Sequence, residues 1–382
     1  MAQGTYVVAV HAKDRVGNVG WSTGSADPVA PFGGRLQGRG GVTVRYLAAQ
    51  STQAPIAAGE RAELGVISAG RKYDWSIRRV GERRARSEGS SRKVLLRPKV
   101  PSGPSGLHIL DVKTKDRTAQ ATILTQGRKE QKILVVIPQA SLTGSQLVDD
   151  DGDGAPDTLD RGVPVQTARV PVDSELPLDM RERIAPLMVA LDRKDRRYDL
   201  TTDLALARGT GPELTGHDGV VLAGTTAYLD AKVQSRLVTW VKRGGRLWVA
   251  EPGSLRRSVR TTDSALLDPT QPSRLDPFGF ELAPLQQVSA VEVASDRAKL
   301  LRGTDGRFEG PLTVEPILRN PTGAGLLAEA TTPGGGQAVL TAVRVERGAV
   351  VRSGISGLGA NSLRDPDSRE FVRQLWSFLR GG

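Results

Sequence analysis

The sequence predicts a multidomain chain in which an all-β sandwich precedes an α/β, doubly wound sheet. Three observations carry this. Two stretches near the start align at the spacing of one sandwich domain, and apolar residues there alternate with polar ones. From Gln131 onward, continuous apolar runs alternate with helical patterns. A length of 382 residues suits two or three domains.

GTYVVAVHAKDRVGN, from Gly4 to Asn18, aligns with GLHILDVKTKDRTAQ, from Gly106 to Gln120. The offset is about 100 residues, the length of one immunoglobulin-like (Ig-like) β-sandwich. Between the copies lie the strand candidates VTVRYLAA (42–49), RAELGVIS (61–68), YDWSIRRV (73–80) and KVLLRPK (93–99). Trp75 stands where such a sandwich keeps a core tryptophan. Residues 41–127 are therefore read as an Ig-like β-sandwich, and residues 1–20 as the remnant C-terminal hairpin of a preceding repeat. Residues 21–40, rich in Gly and Pro, are read as a linker. On this reading the chain has other domains of a longer parent chain as partners. MAQGTYVVAVHAKD does not read as a signal peptide, because His11, Lys13 and Asp14 interrupt its apolar run, so a leader is expected upstream.

The second unit, 131–382, opens with KILVVIP (132–138), a run apolar enough for a strand buried on both faces. APLMVALDRK (185–194) reads as a helix with Pro186 in its first turn. RYDLTTD (197–203) and GVVLAG (219–224) read as the next strands. LDAKVQSRLVTWVKRGG (229–245) is an amphipathic helix with a Gly-Gly stop, followed by the strand RLWVAE (246–251). QAVLTAVRVERGAVVRSGI (337–355) reads as a hairpin turning at Glu346-Arg347-Gly348. DPDSREFVRQLWSFLR (365–380) reads as a helix opened by an Asp-Pro cap, with Phe371, Leu375, Phe378 and Leu379 buried. In such sheets ligands bind beyond the carboxyl ends of the strands. Those ends lead into an acidic loop, Gly224-Thr225-Thr226, and Glu251-Pro252-Gly253-Ser254.

Composition narrows the chemistry. The chain has no cysteine, which excludes disulfides, thiolate metal sites and cysteine nucleophiles. No run of about 18 apolar residues exists, so no membrane span is expected. The formal net charge is +11, and much of it is concentrated between Arg71 and Lys99, where eleven Lys and Arg meet only Asp74, Glu82 and Glu88. This stretch reads either as a solvated strand face with a charged hairpin loop or as a contact for an anionic polymer or cell-envelope component. Specific nucleic-acid binding is not expected, since only Tyr73 and Trp75 accompany the arginines.

Against that background, VDDDGDGAPDTLD (148–160) gathers six aspartates in thirteen residues. With Asp149 as position 1, Asp151 falls at 3, Asp153 at 5, Gly154 at 6, Ala155 at 7, Asp157 at 9 and Asp160 at 12. These are the ligand positions of a calcium loop, where a glycine makes the sharp turn and a backbone carbonyl binds at position 7. The expected metal ligands are therefore Asp149, Asp151, Asp153, Ala155, Asp157 and Asp160, holding a structural Ca2+. Pro156 removes the amide through which paired EF-hands join, and neither flank reads as a helix. The loop is accordingly expected to be solitary, in the style of dockerin or thrombospondin type 3 loops. A metal-free solvated turn and a catalytic metal are the alternatives.

Taken in order, VVIP, VDDDGDGAPDTLD, RRYDLTTDLAL, HDGVVLAGTTAYL and VKRGGRLWVAEPGSLRR resemble the C-terminal domain of N,N-dimethylformamidase large-subunit-like proteins. That domain is related to the flavodoxin-like class I glutamine amidotransferase fold. The resemblance implies a flavodoxin-like sheet over 131–382 and an iron held by tyrosines and a glutamate. Tyr228 keeps the family's tyrosine, while Thr225, Thr226 and Ala227 replace its His, Asp and Glu. Tyr198 could supply a second phenolate, and Glu251 or Glu309 a carboxylate. Amidotransferase chemistry itself is excluded for want of a cysteine. Ser254 has no evident base, because the only histidines are His11, His108 and His217.

Two functions remain open at this stage. One is a secreted or cell-surface multidomain protein with a structural calcium loop and a degenerate, non-catalytic domain used for binding or structure. The other is an iron-dependent amidohydrolase acting on small-amide C–N bonds, with Tyr198, Tyr228 and Glu251 as its candidate residues.

Overall fold

The computed structural model describes residues 3–7, 9–23, 41–151, 155–172, 174–194 and 196–381. Most of the expected linker, 24–40, lies outside these residues. Near the start, Ala9–Lys13 pairs with Val19–Thr23 as a hairpin, and Gly4–Val7 pairs with Gly41–Val44.

Residues 47–126 fold as two facing sheets. One has the order Leu95–Leu96, Leu64–Ile67, Ala48–Ala49. The other runs Ile56–Ala57, Thr118–Gln126, Gly106–Lys113, Tyr73–Arg79, Ser87–Ser91. Alternation sends Tyr73, Ile77, Leu110, Val112, Ala121 and Ile123 into the space between them, against Leu47, Leu64 and Val66. The expected core tryptophan, Trp75, is only half-buried, and Tyr73 takes the deeper place, donating its hydroxyl to the Lys93 carbonyl at 2.6 Å.

The second unit is built on an eleven-stranded sheet. Asp199–Thr202, Ile133–Ile137, Gly219–Leu222, Arg246–Val249 and Gly348–Ser353 lie side by side and parallel. Ala338–Val345, Gly325–Thr331, Gln286–Asp296 and Arg307–Val314 then extend it antiparallel. Glu281–Leu282 and Ile317–Arg319 flank it. A separate four-stranded sheet, Val165–Gln166, Ala265–Leu267, Arg257–Thr261 and Tyr228–Asp230, is formed largely by segments following the parallel strands.

This corrects the expected fold class. A multidomain chain ending in a doubly wound, flavodoxin-like or class I glutamine amidotransferase-like sheet is not what the molecule shows; its large sheet is mixed, and strands dominate. The physical reason lies in 281–345, where short connections replace crossover helices. Val345 pairs with Gly348, leaving only two residues for the turn, and so tight a connection can only join antiparallel strands.

The parallel strands bury both faces, as their apolar runs require. Ile133, Val135 and Ile137 pack with helices Ala185–Arg193 and Pro366–Leu379, while Leu134 and Val136 pack with Ala231–Lys242. Asp365 caps its helix as expected, accepting from the Ser368 amide at 2.6 Å, whereas Asp230, expected inside its helix, ends a short strand and caps the helix instead, accepting from the Lys232 amide at 2.8 Å. Of the four residues expected inside the last helix, Phe378 is half-buried and lies beneath the Arg246 guanidinium. Pro186 stands in the first turn of Ala185–Arg193, as expected, and π-helical turns over Met180–Ile184 lead into that helix.

The two units share a core. Leu107, Ile109 and Leu124 of the sandwich cluster with Ile133, Val135 and Leu191. The exposed edge of Asp199–Thr202 is closed by the sandwich. Gln126 donates to Asp199 at 2.6 Å and accepts from the Leu200 amide at 2.9 Å, and the Thr202 hydroxyl reaches the Gln53 carbonyl. Among the described residues, no helix is long and apolar enough to cross a membrane.

Candidate metal centre

The acidic loop follows the first parallel strand, Ile133–Ile137, and the short helix Gln139–Gly144. A bridge between Val148 and Asp157 closes its neck, with the Asp157 amide donating to the Val148 carbonyl at 2.8 Å. Inside this neck the Asp150 amide donates to the buried Asp157 carboxylate at 2.6 Å.

Asp149, Asp151 and Asp157 converge, one carboxylate oxygen from each lying within 4.8 Å of the others. Oxygens bound to one calcium at about 2.3–2.6 Å lie at most about 5 Å apart, so this spacing admits a single ion. Three acids close together without a cation would repel one another, and one is buried. The donor set is all oxygen, which suits a hard cation. Ala155 is half-buried within the loop. Asp153 lies outside the described residues.

The remaining expected ligand, Asp160, is engaged elsewhere. It accepts from the Tyr228 hydroxyl at 2.9 Å and pairs with Arg257. The loop also has an anchor that the ligand spacing does not reveal. Asp150, at position 2, receives the Arg169 guanidinium at 2.5 and 3.0 Å; Arg169 is buried and also donates to the Thr143 and Gln146 carbonyls. The only sequence signal for this pair was a charge without a ligand role.

Tyr198, Tyr228 and Glu251 belong to three separate networks. Tyr198 precedes the edge strand Asp199–Thr202, whereas Tyr228 and Glu251 follow the carboxyl ends of two parallel strands, so Tyr198 lies at the opposite end of the sheet. Its hydroxyl donates to Asp192 at 2.9 Å, and Arg79 holds the same carboxylate at 2.6 and 2.8 Å. Burial and Asp192 raise its pKa well above the ordinary tyrosine value. Burial likewise pushes the Tyr228 hydroxyl up to about 12, despite Arg257 beside it. Both tyrosines are thus held protonated and occupied.

Glu251 sits among different partners. It accepts from the Gly357 amide at 2.9 Å and lies 3.3 Å from Arg183, which also pairs with Asp179 at 2.8 Å. Asp179 accepts from the Thr225 amide, and the space beside it exists because residue 224 is glycine: at φ +84°, a Cβ there would meet Asp179 and Ile184 within 2.7 Å. Burial pushes the Glu251 carboxyl up to about 7. Glu309 lies on a distant antiparallel strand, paired with Arg307. Ser254 accepts from the Thr226 amide, and His217 contacts Asp199 at the other end of the sheet.

No family model matches the chain, and no curated protein matches it. Among solved structures it is similar to the exo-β-1,4-mannosidase Op5Man5 from Opitutaceae bacterium strain TAV5, with a TM-score of 0.36 and 13% identity over 66% of this chain. It is also similar to the β-galactosidase from Bacillus circulans sp. alkalophilus, with a TM-score of 0.36 and 15% identity over 53% of this chain. The matches span 36% and 27% of those proteins' lengths. The resemblance to dimethylformamidase large subunits and amidotransferases is corrected here. The tyrosines and glutamate that the resemblance would bring to one iron stand in separate networks, and the large sheet is mixed rather than doubly wound.

Proposed function

We propose that this chain is a calcium-stabilised binding or structural module of an extracellular or cell-surface protein. The observation that carries the reading is the convergence of Asp149, Asp151 and Asp157 on a space the size of one calcium ion. A cation there would tie the loop's neck to the sheet, through Asp157 on one side and the Asp150–Arg169 pair on the other. Weak affinity, on the order of 10⁻⁴ M, suits calcium levels outside the cell. Catalysis is not part of the proposal, since Tyr198, Tyr228 and Glu251 are each committed to internal contacts.

The proposed partner is an anionic polymer of the cell envelope, met by the stretch Arg71–Lys99. Among the described residues, five of its eleven cations are paired with carboxylates: Arg71 with Asp116, Arg78 with Asp111, Arg79 with Asp192, Arg86 with Glu82 and Arg97 with Glu63. Arg83 and Arg84, on the connection to Ser87–Ser91, stand exposed without a carboxylate partner among the described residues.

The test is calorimetric titration of chelator-treated protein with Ca2+, alongside thermal melts. One saturable site and a raised Tm are expected, and both should be lost in Asp151→Asn. Identical melts with calcium and with chelator, together with no binding heat, would sink the reading.

A further inference from the structure

We propose that the cleft between the sandwich and the helix Ala185–Arg193 is a phosphate-binding site, with Arg193 and Arg196 as its recognition residues. The cleft holds about 340 Å³ and opens to solvent. Its sandwich wall is the turn at Val80-Gly81, which packs directly on the helix. Gly81 has φ +81°, and a Cβ there would meet Val189 at 2.7 Å, so only glycine permits this approach.

Among the described residues lining the cleft, arginines outnumber carboxylates. Arg79 is consumed by Asp192, and its remaining donors reach the carbonyls of Pro104 and Ser105; Arg86 is consumed by Glu82. Arg193 and Arg196 line the same space and have no carboxylate partner among the described residues. Arg196 is half-buried, and burial together with the nearby Arg373 lowers its pKa, the mark of a cation short of compensation.

Arg196, half-buried, and Arg193, exposed, both line the cleft, and guanidinium forks bind phosphate oxygens in pairs. A phosphate dianion would satisfy both. It could be a free ion or one unit of the polymer proposed above, and in the latter case the site deepens that reading.

The test is titration of the full chain with inorganic phosphate and, separately, with a poly(glycerol phosphate) chain. Wild type, Arg193→Gln, Arg196→Gln and the control Arg344→Gln, on an exposed position of the antiparallel strands, should be compared. One saturable phosphate site is expected, weakened about tenfold or more by either cleft substitution and unchanged in the control. Tighter binding of the polymer with the same sensitivity would mark a polymer subsite, whereas equal binding would mark a free-anion site. Polymer retention that survives both cleft substitutions, with no phosphate binding, would overturn the cleft while leaving the surface reading of Arg83 and Arg84 intact. No binding of either probe would overturn both.

Discussion

The Asp160 carboxylate accepts the Tyr228 hydroxyl at 2.9 Å, which ties the last position of the acidic loop to the start of the strand Tyr228–Asp230. Arg257, from the neighbouring parallel strand, joins them and lies over the Tyr228 ring at 5.1 Å. This relationship separates the loop's ends by task, with Asp149, Asp151 and Asp157 grouped and Asp160 fastening the loop to the four-stranded sheet.

A division of calcium affinity follows. Asp151→Asn is expected to weaken calcium about tenfold or more, because it removes a charged oxygen from the converging trio. Asp160→Asn should change affinity by less than about threefold while lowering Tm. Calorimetry on the two variants checks this, and equal losses would contradict it.

Tyr228→Phe removes one hydrogen bond to a charged acceptor at a mostly buried ring. A loss of about 1–2 kcal/mol is expected in urea unfolding, with the denaturant slope unchanged. Metal content measured on the purified variant should match wild type.

Arg79 and Asp192 join the sandwich to the helix beneath it, and Arg79 is 8% exposed. Asp192→Ala leaves that guanidinium buried without a counter-charge, at a cost of about 3–5 kcal/mol. Replacing both residues with Met and Leu should recover most of the loss, because the uncompensated charge disappears. Chemical denaturation of the single and double variants reads the difference.

The carboxyl of Glu251 has a folded pKa of about 7 against an unfolded value of 4.5, with burial as the main cause. The folded state therefore holds this proton more tightly. The stability it contributes is complete below pH 4.5 and is lost as pH rises through about 7. Glu251→Gln keeps a neutral side chain at every pH. The Tm of the variant minus that of wild type should therefore increase from about pH 5 to about pH 8. A constant difference across that range would refute the assignment.

The sequence by itself determined what acts over a few residues. The apolar run Ile133–Ile137 had to be a doubly buried strand, Asp365 had to cap its helix, and the crowding of aspartates along 149–157 marked the loop on which Asp149, Asp151 and Asp157 converge. Tertiary structure decided what depends on distant partners. Arg79 meets Asp192 across 113 residues of chain, and Arg169 meets Asp150 across 19. Arg352 lies buried between Asp276 and Glu315, at 3.0 and 2.9 Å. Neither periodicity nor capping carries such information, because a charge selects its partner only once packing has excluded water and brought the segments together. The character of the large sheet was decided in the same way. The hairpin over 337–355 was legible locally, but the pairing of Gln286–Asp296 with Gly325–Thr331, which extends the sheet antiparallel beyond it, joins segments far apart in the chain.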